Sequence, residues 1–578
     1  MGKRWYCNLV AATRRRSHVM MAFALSLLIG LGGISSFAST KGLSSDGPVI
    51  HTASGAVRGV TRDGINMFLG IPYASPPVGD LRWRPPQPAK PWSGVRAATH
   101  FASTCAQATQ FGVFAGPVST SEDCLYLNVF VAKGAPKNAK RPVIVWLHGG
   151  ANLSGESDDY DASKLATGGP DGVETVVVTI NYRLGVLGLF SNPAINSEGH
   201  PWGNYSILDQ QAALRWVQQN IAAFGGDPTK VAIAGQSAGA VNIGVHMLSP
   251  LSKGLFSRAI SQSSPGFTAW YLPRTIQDQL SANFTKQAGC PESGEESAKC
   301  LRNLSVARIL QIEGTPKSFN MVVSPSPFVD GTILPSSPEQ AWQAGNFNKV
   351  PLLGGSTKDE YMFFTGAAEY FTGPPQSSLT AKEYAAKTAG GQPCDFCNFE
   401  FSFRSDAAAQ YPLSSYGDDP MMAMDRIESD PIKCRELHVL NMISKRVPTY
   451  AYDFSYRNAP YYYPKMSGYR PLAAHTIDIQ FLFPKWHGGP LGVNLDQETG
   501  QPRELNAQET KLSDEMVAEW TNFADTGNPN GKGDAPWPRF TGGDDAKYFV
   551  QDIPTSLESV AEFRKQYQCD FWDPRIKY

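Results

Sequence analysis

Charge of either sign is scarce in this chain, and neither sign prevails. Lys and Arg number 51 against 52 Asp and Glu, which leaves a formal net charge of −1. That balance gives no electrostatic footprint for nucleic acid, whose binding draws on clustered cations. Past residue 34 there is no uninterrupted apolar run long enough to span a bilayer. Internal repeats and low-complexity tracts are also missing. Histidine and cysteine are few, nine of each, so each can be weighed individually.

Against these absences stands one dense signal, Gly235-Gln236-Ser237-Ala238-Gly239. Val231 to Ala234 before it is a short apolar, partly β-branched run that reads as a buried strand. Ala240 to Leu248 after it reads as a helix that stops at Ser249-Pro250. A serine at the apex of a strand–turn–helix is a nucleophile elbow, whose turn lifts the hydroxyl out of the sheet. Gly235 and Gly239 fit a place where neighbouring backbone leaves no room for a Cβ. Among 54 glycines the bare pattern is weak; its flanks make Ser237 a nucleophile rather than a turn serine.

A serine hydroxyl needs a base, an acid that orients the base, and donors for an oxyanion. Pro142 to Leu147 reads as a buried strand that runs into His148-Gly149-Gly150-Ala151. This Gly-rich loop predicts backbone donors at Gly150 and Ala151, joined by Ala238 after the nucleophile. In this class of fold the acid and the base follow the nucleophile along the chain. That order leaves His438, His475 and His487. His438 sits in an amphipathic helical stretch and His487 beside two glycines in a loop. His475 stands on a loop feeding the apolar segment Ile477 to Phe483, and is the predicted base. For the acid, the apolar strand from Val350 leads through Gly354-Gly355 to Asp359 and Glu360. Either carboxylate fits by position, and both also fit a capping pair at a helix start.

With these residues in place, the chain resembles the type-B carboxylesterases, the group of α/β hydrolases that includes cholinesterases and p-nitrobenzyl esterase-like enzymes. The resemblance rests on Glu122-Asp123-Cys124-Leu125-Tyr126-Leu127-Asn128 and on Phe68 to Ala74 with Pro76-Pro77-Val78-Gly79. Asn181-Tyr182-Arg183, Phe224-Gly225-Gly226-Asp227-Pro228, Gly527-Asn528-Pro529 and Trp537-Pro538 extend it over residues 47 to 570. It implies an α/β fold, with a large, mostly parallel twisted sheet flanked by helices and inserted cap or loop regions. It also implies hydrolysis of a small-molecule carboxylic ester through an acyl-enzyme, with no cofactor and no metal. By the family's pattern the acid is Glu360 rather than Asp359. Residues 39–578 are then one catalytic domain, with a cap insertion expected around 367–431, where periodicity is poor.

The chain departs from the family at several points. Ala151-Asn152 stands where Gly-Phe is frequent, and Asn152 predicts tolerance of a polar or acidic acyl group. Tyr361 replaces a usual Gly after the acid and predicts a narrower pocket on that side. Thr476 and Asp478 follow His475 where Gly and Glu are common, and Asp478 is a further carboxylate for the histidine. Cholinesterases hold a quaternary ammonium against a Trp within the first disulfide loop. Between Cys105 and Cys124 there is none, only Phe111 and Phe114, so choline esters are not the selected substrate. Two other readings are a binding or adhesion protein that keeps the fold without the chemistry, and a lipase with a lid.

The amino terminus predicts export. Lys3, Arg4 and Arg14-Arg15-Arg16 precede an apolar run from Met20 to Ile34, and Ser36-Phe37-Ala38 suits cleavage. Residues 1–38 therefore read as a signal peptide, ahead of a membrane anchor interrupted by Gly30, Gly32 and Gly33. A secreted or periplasmic enzyme with no stable membrane association after cleavage follows. Losing Cys7 with the signal leaves eight of nine cysteines. The resemblance pairs Cys105 with Cys124, Cys290 with Cys300, and Cys434 with Cys569. Cys394 and Cys397 remain, to close on each other; a zinc set of these two with Cys434 and His438 is the competing reading, and export favours disulfides.

Overall fold

Arg141–Leu147 is a strand buried along its whole length, and its side chains divide between two faces. Val143, Val145 and Leu147 join one apolar core, Ile144 and Trp146 the other, because successive Cβ atoms point to opposite sides of a strand. A strand apolar on both faces belongs in the middle of a sheet covered on both sides. The computed structural model describes residues 47–576, apart from 109–117, 135, 137–138, 264–270, 315–325, 373–378, 390–405, 489–492 and 532–535.

Among the described residues the strands are β1 (Val49–Thr52), β2 (Gly55–Arg58), β3 (Val60–Arg62), β4 (Ile65–Pro72), β5 (Val95–Ala97), β6 (Tyr126–Ala132) and β7 (Arg141–Leu147). They continue with β8 (Val176–Ile180), β9 (Gly226–Gln236), β10 (Arg258–Gln262), β11 (Leu352–Thr357), β12 (Thr449–Phe454), β13 (Lys547–Gln551) and β14 (Ser556–Ser559). Strands β1, β2 and β5 form a small sheet of 3 strands. The other 11 form one sheet in the order β14-β13-β12-β11-β10-β9-β7-β8-β6-β4-β3. Neighbours from β8 through β7 and β9 to β13 run parallel, and the flanking pairs are antiparallel. With helices on its faces this is the α/β-hydrolase architecture.

The chain leaves β7 toward β8 on one side and leaves β9 toward β10 on the other. The carboxyl ends of β7 and β9 therefore flank the point where the winding reverses, and open α/β sheets place their ligands in the crevice there. Every residue of the helix Ala238–Leu248 is buried, and it packs against β9, β10 and β7. The helix Ala507–Thr526 also packs against these strands.

The stretch from Cys434 lies in the long helix Pro420–Ser444, which carries Pro431 inside it. It is not the half-exposed helix that its polar residues suggest. Lys433 is fully buried, its Nζ donating to Asp453 at 2.7 Å and to Ser356 Oγ at 2.8 Å. Internal partners let charged residues stand where periodicity predicts solvent. Of the expected cap region, the helices Ala381–Thr388 and Ala407–Gln410 are described, together with the end of the helix Met362–Thr372, the short turn Leu413–Tyr416 and the first half of Pro420–Ser444. Cys394 and Cys397 lie outside the described residues, as do Phe111 and Phe114. Disulfides join Cys105 to Cys124, Cys290 to Cys300 and Cys434 to Cys569. Among the described residues no helix is long and apolar enough to cross a membrane.

Candidate active site

β9 ends at Gln236 and the next helix begins at Ala238, so Ser237 alone makes the turn, at φ 55° and ψ −123°. A non-glycine residue in that region is strained by roughly 1–3 kcal/mol. The glycines on either side are fixed by packing: a Cβ on Gly235 would meet the Leu147 carbonyl oxygen at 2.7 Å, and one on Gly239 at 2.0 Å. The elbow is pressed against the end of β7, and Ser237 N–H donates to the Gln262 carbonyl at 3.0 Å.

Past the end of β7, Gly150, Ala151 and Asn152 all have positive φ, at 105°, 56° and 55°. This curl is closed by Leu153 and Ser154 N–H groups donating to the Gly150 carbonyl at 2.9 and 3.0 Å. A Cβ on Gly150 would sit 2.1 Å from the Ser154 oxygen, so only glycine fits. The loop lies against the elbow, since a Cβ on Gly149 would stand 3.3 Å from that of Ser237. His148 braces it: Nδ1–H donates to the Gly149 carbonyl at 2.8 Å, and the ring stacks on Tyr182 with centroids 4.4 Å apart. Burial pushes the His148 imidazole down to about 4, so it is neutral near pH 7.

A second tie comes from the first disulfide loop. The Gln107 side chain accepts from Gly155 N–H at 2.9 Å and donates to the Gly155 carbonyl at 3.1 Å. Gln107 is buried and lies two residues past Cys105. Asn152 is buried too, and Asn242 of the elbow helix donates to its Oδ1 at 2.9 Å while Asn152 Nδ2 faces Asn242 Oδ1 at 3.4 Å. Its amide is turned toward that helix.

Beyond β11 the chain brings Glu360 to His475. The Glu360 Oε1 atom accepts from Thr357 N–H at 2.8 Å, and Oε2 accepts from His475 Nδ1. Both residues are 3 % exposed. Burial pushes the Glu360 carboxyl up, but the adjoining imidazole outweighs it and holds the group below the usual range. Asp359, which spacing alone could not separate from Glu360, faces elsewhere. It binds Arg457 at 2.8 and 2.6 Å and Arg426 at 3.0 Å.

The other nitrogen of His475, Nε2, lies 3.1 Å from the side-chain nitrogen of Gln236, the residue before Ser237. The rings of Phe363 and Phe364 flank the imidazole at 5.6 and 5.7 Å. Asp478 accepts from Gln262 Nε2 at 3.0 Å, and burial together with Glu360 pushes its carboxyl up to about 7. Thr476, at φ 77°, meets the Tyr462 hydroxyl at 2.6 Å. Tyr361 is buried, its N–H donating to Ser429 Oγ at 2.9 Å and its ring 5.4 Å from Phe364.

Of the other histidine candidates, His438 lies on the helix Pro420–Ser444. His438 is half-buried with Nε2 3.3 Å from Glu339. The pairing of Cys434 with Cys569 takes one ligand from the zinc set, and among the described residues no three His, Cys, Asp or Glu side chains are grouped to hold a metal ion. Reading by motif passed over Gln236 and Gln107. For Gln236 the signal was its place inside the elbow pentapeptide; for Gln107 nothing local marks it.

Residues 46–572 match the model of the carboxylesterase family. The chain is 33% identical to the acylcarnitine hydrolase of Mus musculus, covering 91% of this chain and 90% of that protein. It is 34% identical to the medium-chain fatty acyl-CoA hydrolase precursor of Anas platyrhynchos, over 95% of each. Carboxylesterase 1C of Mus musculus is 33% identical over 91% of this chain and 92% of its own length.

Proposed function

Since this chain belongs to the carboxylesterase family and is a carboxylic-ester hydrolase, we propose that it acts by acyl transfer through Ser237. The observation that carries this is the bond from His475 Nδ1 to Glu360, with Nε2 of the same ring meeting the side chain of Gln236, the residue that precedes the strained Ser237. An imidazole that donates through Nδ1 to a carboxylate has its Nε2 lone pair available as a base.

In the first half-reaction Nε2 of His475 takes the Ser237 proton while Oγ attacks the ester carbonyl. Glu360 stabilises the imidazolium. The N–H groups of Gly150, Ala151 and Ala238 receive the negative oxygen, each donor contributing on the order of 100-fold or more in rate. His475 then protonates the leaving alkoxide, and water repeats the sequence on the acyl-serine. Substrates are esters with apolar acyl groups, in place of the polar or acidic ones that Asn152 suggested, because the Asn152 amide is paired with Asn242. The names of the relatives, which act on acylcarnitines and medium-chain fatty acyl-CoA, support this, as do the phenylalanine rings beside His475. Export is part of the proposal, supported by the amino-terminal signature and by three disulfides, which persist in oxidising compartments.

Ser237→Ala with native circular dichroism is expected to lose p-nitrophenyl acetate turnover by at least ~1,000-fold. Turnover near wild type would overturn the assignment. Sequencing the mature amino terminus tests cleavage after Ala38.

A further inference from the structure

Nδ1 of His475 faces a carboxylate, which only accepts, so that nitrogen carries the proton. In the neutral ring Nε2 then holds a lone pair, and the group meeting it at 3.1 Å is the side-chain amide of Gln236. Gln236 is fully buried at the end of β9. Its register partner on β10 is Gln262, whose amide donates to Asp478. Two adjacent strands thus end in glutamines, one aimed at the imidazole and the other at the second carboxylate near it.

We propose that Gln236 is a positioning residue: its amide N–H donates to His475 Nε2 in the free enzyme and keeps the ring in the form that can accept a proton. The inference rests on His475 being the base. Between turnovers the Gln236 N–H occupies the lone pair, and the Ser237 hydroxyl takes its place when Oγ turns toward the substrate. A donor at Nε2 opposes protonation there, because an N–H facing an N–H is repulsive. The ionisable groups around the ring are Glu360 at Nδ1 and Asp478 nearby, with Lys433 and Glu436 acting on Glu360. The Tyr461 hydroxyl donates to the His475 backbone carbonyl at 3.0 Å.

The test is the pH dependence of kcat/KM for p-nitrophenyl acetate with the full chain, comparing wild type, Gln236→Met and Gln236→Glu. Losing the donor in Gln236→Met is expected to move the midpoint of the acid limb up by about half a unit, and a carboxylate in Gln236→Glu by about one unit or more. A side chain that only fills space would lower the plateau and leave the midpoint alone. Coincident midpoints in all three proteins, with Ser237→Ala still inactive, would overturn the inference and leave the proposed mechanism standing. Activity in Ser237→Ala would instead remove the mechanism. Met is close to Gln in size, so Gln236→Met carries the test should a buried carboxylate unfold the chain.

Discussion

Asp359 and Ala474 form an isolated parallel bridge between two loops, and it sets Glu360 and His475 side by side. The Asp359 N–H donates to the Ala473 carbonyl at 3.0 Å, and its carboxylate accepts from Ala473 N–H at 3.1 Å. The same carboxylate holds Arg426 and Arg457. A residue that does no chemistry in the proposed reaction thereby aligns two that do.

Asp359→Asn should expose that dependence. Removing one member of a buried ion pair destabilises by roughly 3–5 kcal/mol. Urea unfolding is expected to show a loss on that scale, and kcat at temperatures where the variant is folded should also fall. Unchanged kcat would mean that the bridge is held by backbone alone.

Strain at Ser237 predicts an inverted glycine effect. Elsewhere in a chain, glycine in place of alanine lowers stability. At φ 55° and ψ −123° the order reverses, and Ser237→Gly should be more stable than Ser237→Ala by about 1–2 kcal/mol. Thermal unfolding of the two inactive variants checks it.

The two hydrogen bonds between Gln107 and Gly155 tie the first disulfide loop to the loop proposed to hold the oxyanion. Gln107→Ala should lower kcat about tenfold or more by loosening donors that must be placed to within an ångström. KM should change less. A fall in KM alone, with kcat intact, would contradict the tie.

Glu313 is buried and accepts from Val186 N–H at 2.9 Å, and burial pushes its carboxyl up to about 7. A carboxyl raised in the folded state favours folding less as pH climbs: the loss begins above its unfolded value and is complete above about 7. Glu313→Gln keeps an acceptor and removes the charge. It should therefore match wild-type stability at pH 4 and exceed it at pH 9 by up to about 3 kcal/mol. Equal melting temperatures at both pH values would refute this.

Much of the frame was legible because it is local. β7, β9 and β11 announce themselves as apolar runs, and the elbow follows from five consecutive residues. The helix Ala238–Leu248 begins two residues before the periodicity at Ala240 suggested, since the turn uses only Ser237. What spacing could not resolve was the choice between Asp359 and Glu360, adjacent carboxylates that separate only when Arg426, Arg457 and His475 arrive from distant segments. Lys433 and its partners were hidden for the same reason: a buried ion pair looks like a solvated face until the chain closes over it. Gln236 stands inside the elbow pentapeptide, but that pattern leaves its second position open, so only the fold reveals the amide as the neighbour of His475 Nε2.

The proposed reaction passes through a covalent acyl group on Ser237. Quenching turnover of p-nitrophenyl acetate in acid within the first second and mapping peptides by mass spectrometry reads it directly. An acetyl group on the peptide bearing Ser237, absent from Ser237→Ala, is the expected result. Sustained hydrolysis with that peptide unmodified at every time point would contradict the account.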